Sequence, residues 1–292
     1  MTDQIFSRWR RVLPRVCAVG LLAASAPLVA MPVCVSETVS GEDFLGISGS
    51  SDSNVIGVGG DGEIHRYDGT AWTQMPSPID DDLLDVFVVD PATAFAVGED
   101  GTAVRLVSGS WVDISGFAPG NRDLYGVWAA SENEVYAVGQ KGQIYRFDGN
   151  NWSNESSAAG TDNRDIVDAW GDANYVYAMN NRGEVYIYDR QANNWIGVND
   201  ECRRGNNVRA LWGDGQGNLY MVHKDEVLRN DGNSCQVVAD AGDDLYGIYG
   251  SPDGQIYAGG EDGTVLYFDG STWQESTEAN DDIRDVWVSS TG

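Results

Sequence analysis

One pattern is written six times along this chain and begun a seventh. The third copy reads Asp123-Leu-Tyr-Gly-Val-Trp128, then Glu134-Val-Tyr-Ala-Val-Gly139, then Gln143-Ile-Tyr-Arg-Phe-Asp148, then Trp152. The last begins at Asp282-Ile-Arg-Asp-Val-Trp287. The copies start at Asp43, Asp82, Asp123, Asp165, Asn207, Asp244 and Asp282, in steps of 37 to 42 residues. A period near forty with four short apolar runs per copy is the signature of a radial array of small sheets. The sequence therefore predicts an all-β fold, a β-propeller of four-stranded antiparallel blades. Six complete copies predict six blades, with the extra strand Ile283–Ser289 closing the ring. The alternative is an incomplete seven-bladed ring.

Each copy divides at Gly and Asp into four strands, A to D. In the third copy these are Leu124 to Ala129, Val135 to Val138, Ile144 to Phe147, and a run from Trp152. They are rich in Val, Ile, Tyr, Phe and Trp, which suit a pleated, packed surface. The B–C turns carry Gly62, Gly101, Gly142, Gly183 and Gly263, where a hairpin needs positive φ; the fifth copy has Asp225 there. One strand-A position reads Ser48, Phe87, Trp128, Trp170, Trp212, Tyr249 and Trp287. A blade buries both faces against its neighbours, so this aromatic series reads as core.

The N-terminus differs in kind. Arg8, Arg10, Arg11 and Arg15 precede an apolar run from Val16 to Ala30. That run is too short to span a bilayer, so residues 1–30 read as a secretory signal peptide, preferably cleaved after Ala30. Residues 31–41 read as a linker or a seam strand, and 42–292 as the propeller. The chain carries 18 Lys+Arg against 45 Asp+Glu, a net charge of −27. Such a surface repels phosphate backbones and anionic head groups, which argues against nucleic acid and membrane-surface partners. After loss of the leader no membrane insertion is expected. The expected product is a monomer, secreted or periplasmic, in the cell envelope.

Cysteine usage fits export. Cys17 lies in the leader, and Cys202 and Cys235 belong to neighbouring copies, Cys235 standing where other copies place a Trp. A Cys202–Cys235 disulfide is expected in an oxidising compartment, leaving Cys34 over. No Cys-x-x-Cys pair is present to hold zinc or run redox chemistry.

Leu-Tyr-Gly-Val-Trp, Val-Tyr-Ala-Val-Gly, Gly-x-Ile-Tyr-Arg-Phe-Asp-Gly and a following Trp resemble the secreted bacterial propellers of the WD/YVTN/BNR-like repeat superfamily. That group includes photosystem II stability factors and sialidase-type domains. The likeness covers residues 42–290 and is specific for fold rather than activity. The sialidase Asp box has the form Ser-x-Asp-x-Gly-x-x-Trp. Here Asp148-Gly149-Asn150-Asn151-Trp152 sets Asp beside Gly, a departure that argues against a glycosidase inheritance. A second likeness is to tectonin-type lectin propellers, which also pair a Gly-x-Ile-Tyr-Arg run with a later Trp.

Candidates for catalysis are few. The histidines are His65 and His223, in different copies, so no Ser-His-Asp arrangement is supported. No acid breaks the repeat as a paired glycosidase carboxylate would. Arg66, Arg146 and Arg229 share one strand-C position, which suggests packing between blades rather than a sialidase-like cluster. The remaining constellation is Asp43, Asp82, Asp123, Asp165, Asp244 and Asp282, all just before the innermost strand. In a closed ring they encircle one channel mouth. Either they accept backbone hydrogen bonds in a repeated turn, or they form a rim for a cation such as Ca²⁺. The sequence thus points to an exported, non-enzymatic scaffold binding protein or an extracellular polymer through its loop faces. The loops at 113–122, 153–164 and 196–207 are the longest and least alike. A carbohydrate-binding lectin is the alternative, and a glycoside hydrolase or lyase ranks below it.

Overall fold

The computed structural model describes residues 17–19, 44–118, 121–251, 253–277 and 281–289. The predicted leader (apart from Cys17–Val19), its cleavage site, the 31–41 segment, Cys34 and Asp43 lie outside these residues.

Six four-stranded sheets follow one another along the chain, each meandering A-B-C-D with antiparallel pairing. Blade three runs Leu124–Ser131, Glu134–Gly139, Gln143–Phe147 and Trp152–Asn154. The strands extend the predicted runs by a residue or two. The sheets form a six-bladed propeller, with strand A innermost in each. The extra strand spans Val286–Val288 and lies against strand A of blade six, Leu245–Gly250, and of blade one, Phe44–Ser51. It closes the ring as a seventh innermost strand. Cys17–Val19 pairs with it in parallel, Cys17 opposite Val286 and Val19 opposite Val288.

The core is a set of apolar layers between adjacent blades rather than one central mass. Val97, Leu124, Val135, Ala137 and Tyr145, for example, join blades two and three. The aromatic strand-A series is packed by a size rule that crosses from blade to blade. Trp128, Trp170, Trp212 and Trp287 each cover a glycine of the next innermost strand: Gly171, Gly213, Gly250 and Gly49. A Cβ at Gly171 would stand 2.8 Å from Trp128 Cη2, and one at Gly250 would stand 2.5 Å from Trp212 Cη2. Indole and missing side chain are complementary.

Strand D supplies the outer join. Trp152 stacks on Phe117, beyond the end of blade two, at 4.1 Å between centroids, and its indole N–H donates to the Ile114 carbonyl at 3.2 Å. Trp195 donates likewise to Glu155 of blade three. In blade five the corresponding residue is Cys235, and it is bonded to Cys202 with Cα atoms 5.0 Å apart. The expected disulfide makes covalently the contact that a tryptophan makes elsewhere.

The B–C turns use left-handed backbone at the expected glycines, with φ of 68° at Gly62 and 76° at Gly142. The residue before often shares it, as at Asp61, Asp100, Lys141 and Asp262. The fifth turn departs from expectation. His223 pairs directly with Glu226, so the turn is Lys224-Asp225, one residue shorter, and positive φ falls on Lys224 rather than Asp225.

Candidate functional site

The meander places the start of every strand A, the B–C turns and the D–A connections on one face, around one channel mouth. This face gathers the acidic rim and the D–A connections; of the three expected loops, 153–164 winds into the short helix Ser156–Ala159, and 196–207 begins inside the strand Asn194–Asn199. The rim carboxylates are engaged. Asp82 Oδ1 accepts the Asp61 N–H at 2.9 Å, Asp123 that of Asp100 at 3.1 Å, Asp165 that of Lys141 at 2.9 Å, and Asp282 that of Asp262 at 3.3 Å. Each donor is the left-handed residue of the preceding blade's turn, so each rim aspartate latches two blades together. Asp244 follows the shortened fifth turn and receives Arg209 Nη2 instead, at 2.8 Å. Among the described residues, no three His, Cys, Asp or Glu side chains stand close enough together to hold a metal ion.

Below the rim, the third residue of each sequence copy faces the channel: Leu45, Leu84, Tyr125, Val167, Arg209, Tyr246 and Arg284. The series is lopsided. Arg209 and Arg284 flank Tyr246, each guanidinium 4.7 Å from its ring centroid, a favourable cation–π arrangement. Asp244 and Asp282 balance the two charges, Asp282 accepting from Arg284 at 2.7 Å, and the Tyr246 hydroxyl donates to Glu261 at 2.8 Å. Burial and the neighbouring acids hold that hydroxyl above the ordinary tyrosine range. Leu45, Leu84 and Val167, with Tyr125 among them, fill the rest of the circle.

One residue deeper lies a feature that the sequence reading missed. The fourth position of each copy reads Gly46, Asp85, Gly126, Asp168, Ala210, Gly247 and Asp285. Each of its aspartates makes the same pair of bonds. Oδ1 accepts the next residue's N–H, at 2.7 Å for Val86, 2.7 Å for Ala169 and 2.8 Å for Val286. Oδ2 reaches the following strand: Asp85 to the Val127 N–H at 2.7 Å, Asp168 to Leu211 at 2.7 Å, and Asp285 to Ile47 at 2.9 Å. The strand that receives the clasp carries Gly126, Ala210 or Gly46 at this position, and a Cβ at Gly126 or Gly46 would stand 2.9 Å from the Cα of the following strand's aspartate, Asp168 or Asp85. The three carboxyls line a cavity of about 160 Å³ deep in the channel.

Their surroundings favour the protonated form. Burial pushes Asp168 up to about 7 and Asp285 up to about 6, against the pull of the amides they accept. Asp85 is raised well above the usual carboxylate range by burial and by the charges of Asp285 and Asp168. The side chains keep some surface toward the channel, yet the water they meet is confined, and confined water solvates a charge poorly. Although raised acids mark many active sites, both oxygens of each of these are committed to backbone amides. The arrangement is a set of clasps rather than an acid–base pair.

His65 is buried on strand C of blade one, edge-on to Phe44 at 5.1 Å. His223 is buried beside Glu226 at 3.2 Å. Arg146 packs over Tyr136 and Tyr188 and donates to the Tyr188 hydroxyl at 2.8 Å, and Arg229 donates to Asn218 at 2.8 Å. Arg146 thus joins blade three to blade four, as the recurrence implied, whereas Arg229 pairs within its own blade.

No protein-family model matches the chain. Among solved structures, the WD40 β-propeller domain of Doa1 superposes with a TM-score of 0.69 at 16% identity, covering 86% of this chain and 88% of that one. A structure of YCF48 bound to a D1 peptide superposes with a TM-score of 0.62 at 16% identity, covering 81% and 83%. At such identity the likeness is one of fold. A stretch of 82 residues is 34% identical to the immune protein Tsi7 of Pseudomonas aeruginosa, covering 28% of this chain. The chain matches 26% of the length of that relative.

Proposed function

We propose that this chain is an exported, non-enzymatic propeller that recognises a protein partner with the face bearing its rim, its three long loops and the Arg209–Tyr246–Arg284 cluster. One observation carries the reading. The recurrent buried side chains are accounted for by packing or by clasping the next blade, which leaves chemical variety to the residues that differ between copies at this mouth. Guanidiniums and a phenol beside aliphatic side chains suit a peptide, with its mixture of amides, charges and apolar groups. The structurally similar YCF48, bound to a D1 peptide, supports a peptide as the kind of ligand. The D–A connections at 114–118, 155–164 and 202–207 set specificity, as variable loops on a rigid scaffold commonly do. The engaged rim carboxylates favour the turn-latch alternative over a Ca²⁺ rim.

The test is affinity capture from the native envelope fraction with the full chain, run beside Tyr246→Ala and Arg284→Ala. Retention of a defined protein by the wild type and its loss from both variants supports the proposal. Capture insensitive to both variants removes the mouth from the recognition surface. A glycan array positive at low micromolar affinity would favour the lectin alternative. Melting with Ca²⁺ and with chelator addresses the rim, and an unchanged midpoint eliminates the cation.

A further inference from the structure

The outer strands of a propeller are sheet edges, and edges are ordinarily blunted by polar side chains. Three blades here follow that practice. Their outer strands expose Thr73 and Gln74, Ser153 and Asn154, or Glu275 and Thr277. Blade four does not. Its outer strand, Asn194–Asn199, exposes Ile196 at 53% and Val198 at 49%, and the next outer strand, Cys235–Asp240, exposes Val237 at 47%. Beside Ile196 and Val198 lies a groove of about 360 Å³, closed at one side by Ile187 and reaching Gly232 of blade five. Its floor is held firm. Asn230 Nδ2 donates to Asn199 Oδ1 at 2.8 Å, and the Cys202–Cys235 disulfide ties the same two blades. A Cβ built at Gly197 or Gly232 would meet nothing within 4 Å, so open space stands above both glycines. The charged lining residues are Asp200 and Glu201, and neither has an ion-pair partner among the described residues. Arg203, close by in sequence, is instead paired with Glu184 at 3.2 Å.

We infer that this groove is a second docking site, for an extended protein segment whose central apolar side chain is flanked by lysine or arginine. The apolar side chain enters the space over Gly197 and Gly232, against Ile187, Ile196 and Val198, while the basic flanks meet Asp200 and Glu201. A second copy of this chain is disfavoured as occupant, because each copy carries a net charge of −27. The strand bulges at Ile196, which has no partner between the Trp195–Tyr188 and Gly197–Ile187 pairs. Recognition therefore rests on side chains in the groove rather than on a continued backbone ladder. The proposal deepens the protein-binding reading but uses a surface separate from the channel mouth.

The probe is a fluorescent peptide, Lys-Arg-Val-Leu-Val-Arg-Lys, titrated with the full chain by anisotropy at physiological salt. Saturable binding is expected, weakened about tenfold or more by Ile196→Thr with Val198→Thr, both exposed and so compatible with folding. Asp200→Asn with Glu201→Gln should weaken it and flatten its salt dependence. Replacing the three apolar residues of the peptide by serine should abolish binding. Absence of binding, or affinity unchanged by either double variant, overturns the groove. Equal affinity of the serine peptide shows charge attraction alone and overturns it too. Tyr246→Ala, which tests the mouth, is expected to leave peptide binding intact. Loss of the native partner in that variant with no peptide binding to the wild type would sink the groove and leave the mouth standing.

Discussion

A tryptophan in this ring is only as stable as the absent side chain opposite it. Trp170 fills the space over Gly213 of the next strand, whose backbone is of a kind any residue can adopt. Gly213→Ala therefore introduces a steric conflict without backbone strain, and a cost of about 1–3 kcal/mol in urea unfolding is expected from overpacking. Trp170→Phe in the same chain should recover part of that loss, since the smaller ring retreats from the added methyl. A double-mutant cycle giving no coupling would show that the two do not share one space. The indoles were legible in the sequence as a recurring aromatic column. Their glycine partners were not, because each lies one copy further along and becomes a neighbour only when the sheets stand side by side. The alternation of Asp85, Asp168 and Asp285 with small residues was hidden similarly, since it follows neither the forty-residue repeat nor the period of a strand.

At the scale of the element, a blade is held to its neighbour by the inner aromatic contact and by the outer end of strand D. Blades four and five make the outer contact with sulfur. Cys202 is fully buried, and the bridge closes a separation of 33 residues. Replacing both cysteines by serine should cost about 2–4 kcal/mol. Hydrogen exchange should rise first in Asn194–Asn199 and Cys235–Asp240, the outer strands that the bridge joins. Uniform loss of protection across all blades would instead mean that the ring opens as one unit. Here the sequence was more informative, because a cysteine occupying a tryptophan position in one copy and a second cysteine in the loop before it already pointed to a bridge. Strand identity was equally legible, as four apolar runs between turn residues. The short fifth turn was not, since Lys224-Asp225 differs from its counterparts by a deletion that only the pairing of His223 with Glu226 locates.

For the whole molecule the decisive step is closure, and it rests on a short strand. Trp287 is buried against Ile47 and Val55 of blade one, while Val286 and Val288 pack on Tyr257 and Tyr267 of blade six. Trp287→Ala should cost about 3–5 kcal/mol, with early exposure of blades one and six under limited proteolysis. The clasp from Asp285 to Ile47 crosses the same seam and joins those of Asp85 and Asp168 in a dependence on pH. All three carboxyls are raised in the folded state relative to an ordinary value near 3.8. The native chain therefore holds more protons than the unfolded one between about pH 4 and 7, and stability falls as pH rises through that window. The steepest slope is about 1.4 kcal/mol per pH unit for each carboxyl. Asp68, Asp148, Asp231 and Asp269, in the exposed turns, are shifted the other way by the backbone amides they accept, so their contribution is lost only as pH falls below the ordinary range. The two effects separate cleanly along the pH axis. Asp168→Asn cannot ionise and keeps one amide acceptor, so its unfolding free energy should change less between pH 4 and 7 than that of the wild type. If urea titrations across that range give parallel curves for the two proteins, Asp168 does not titrate there, and the clasps hold the ring without sensing protons.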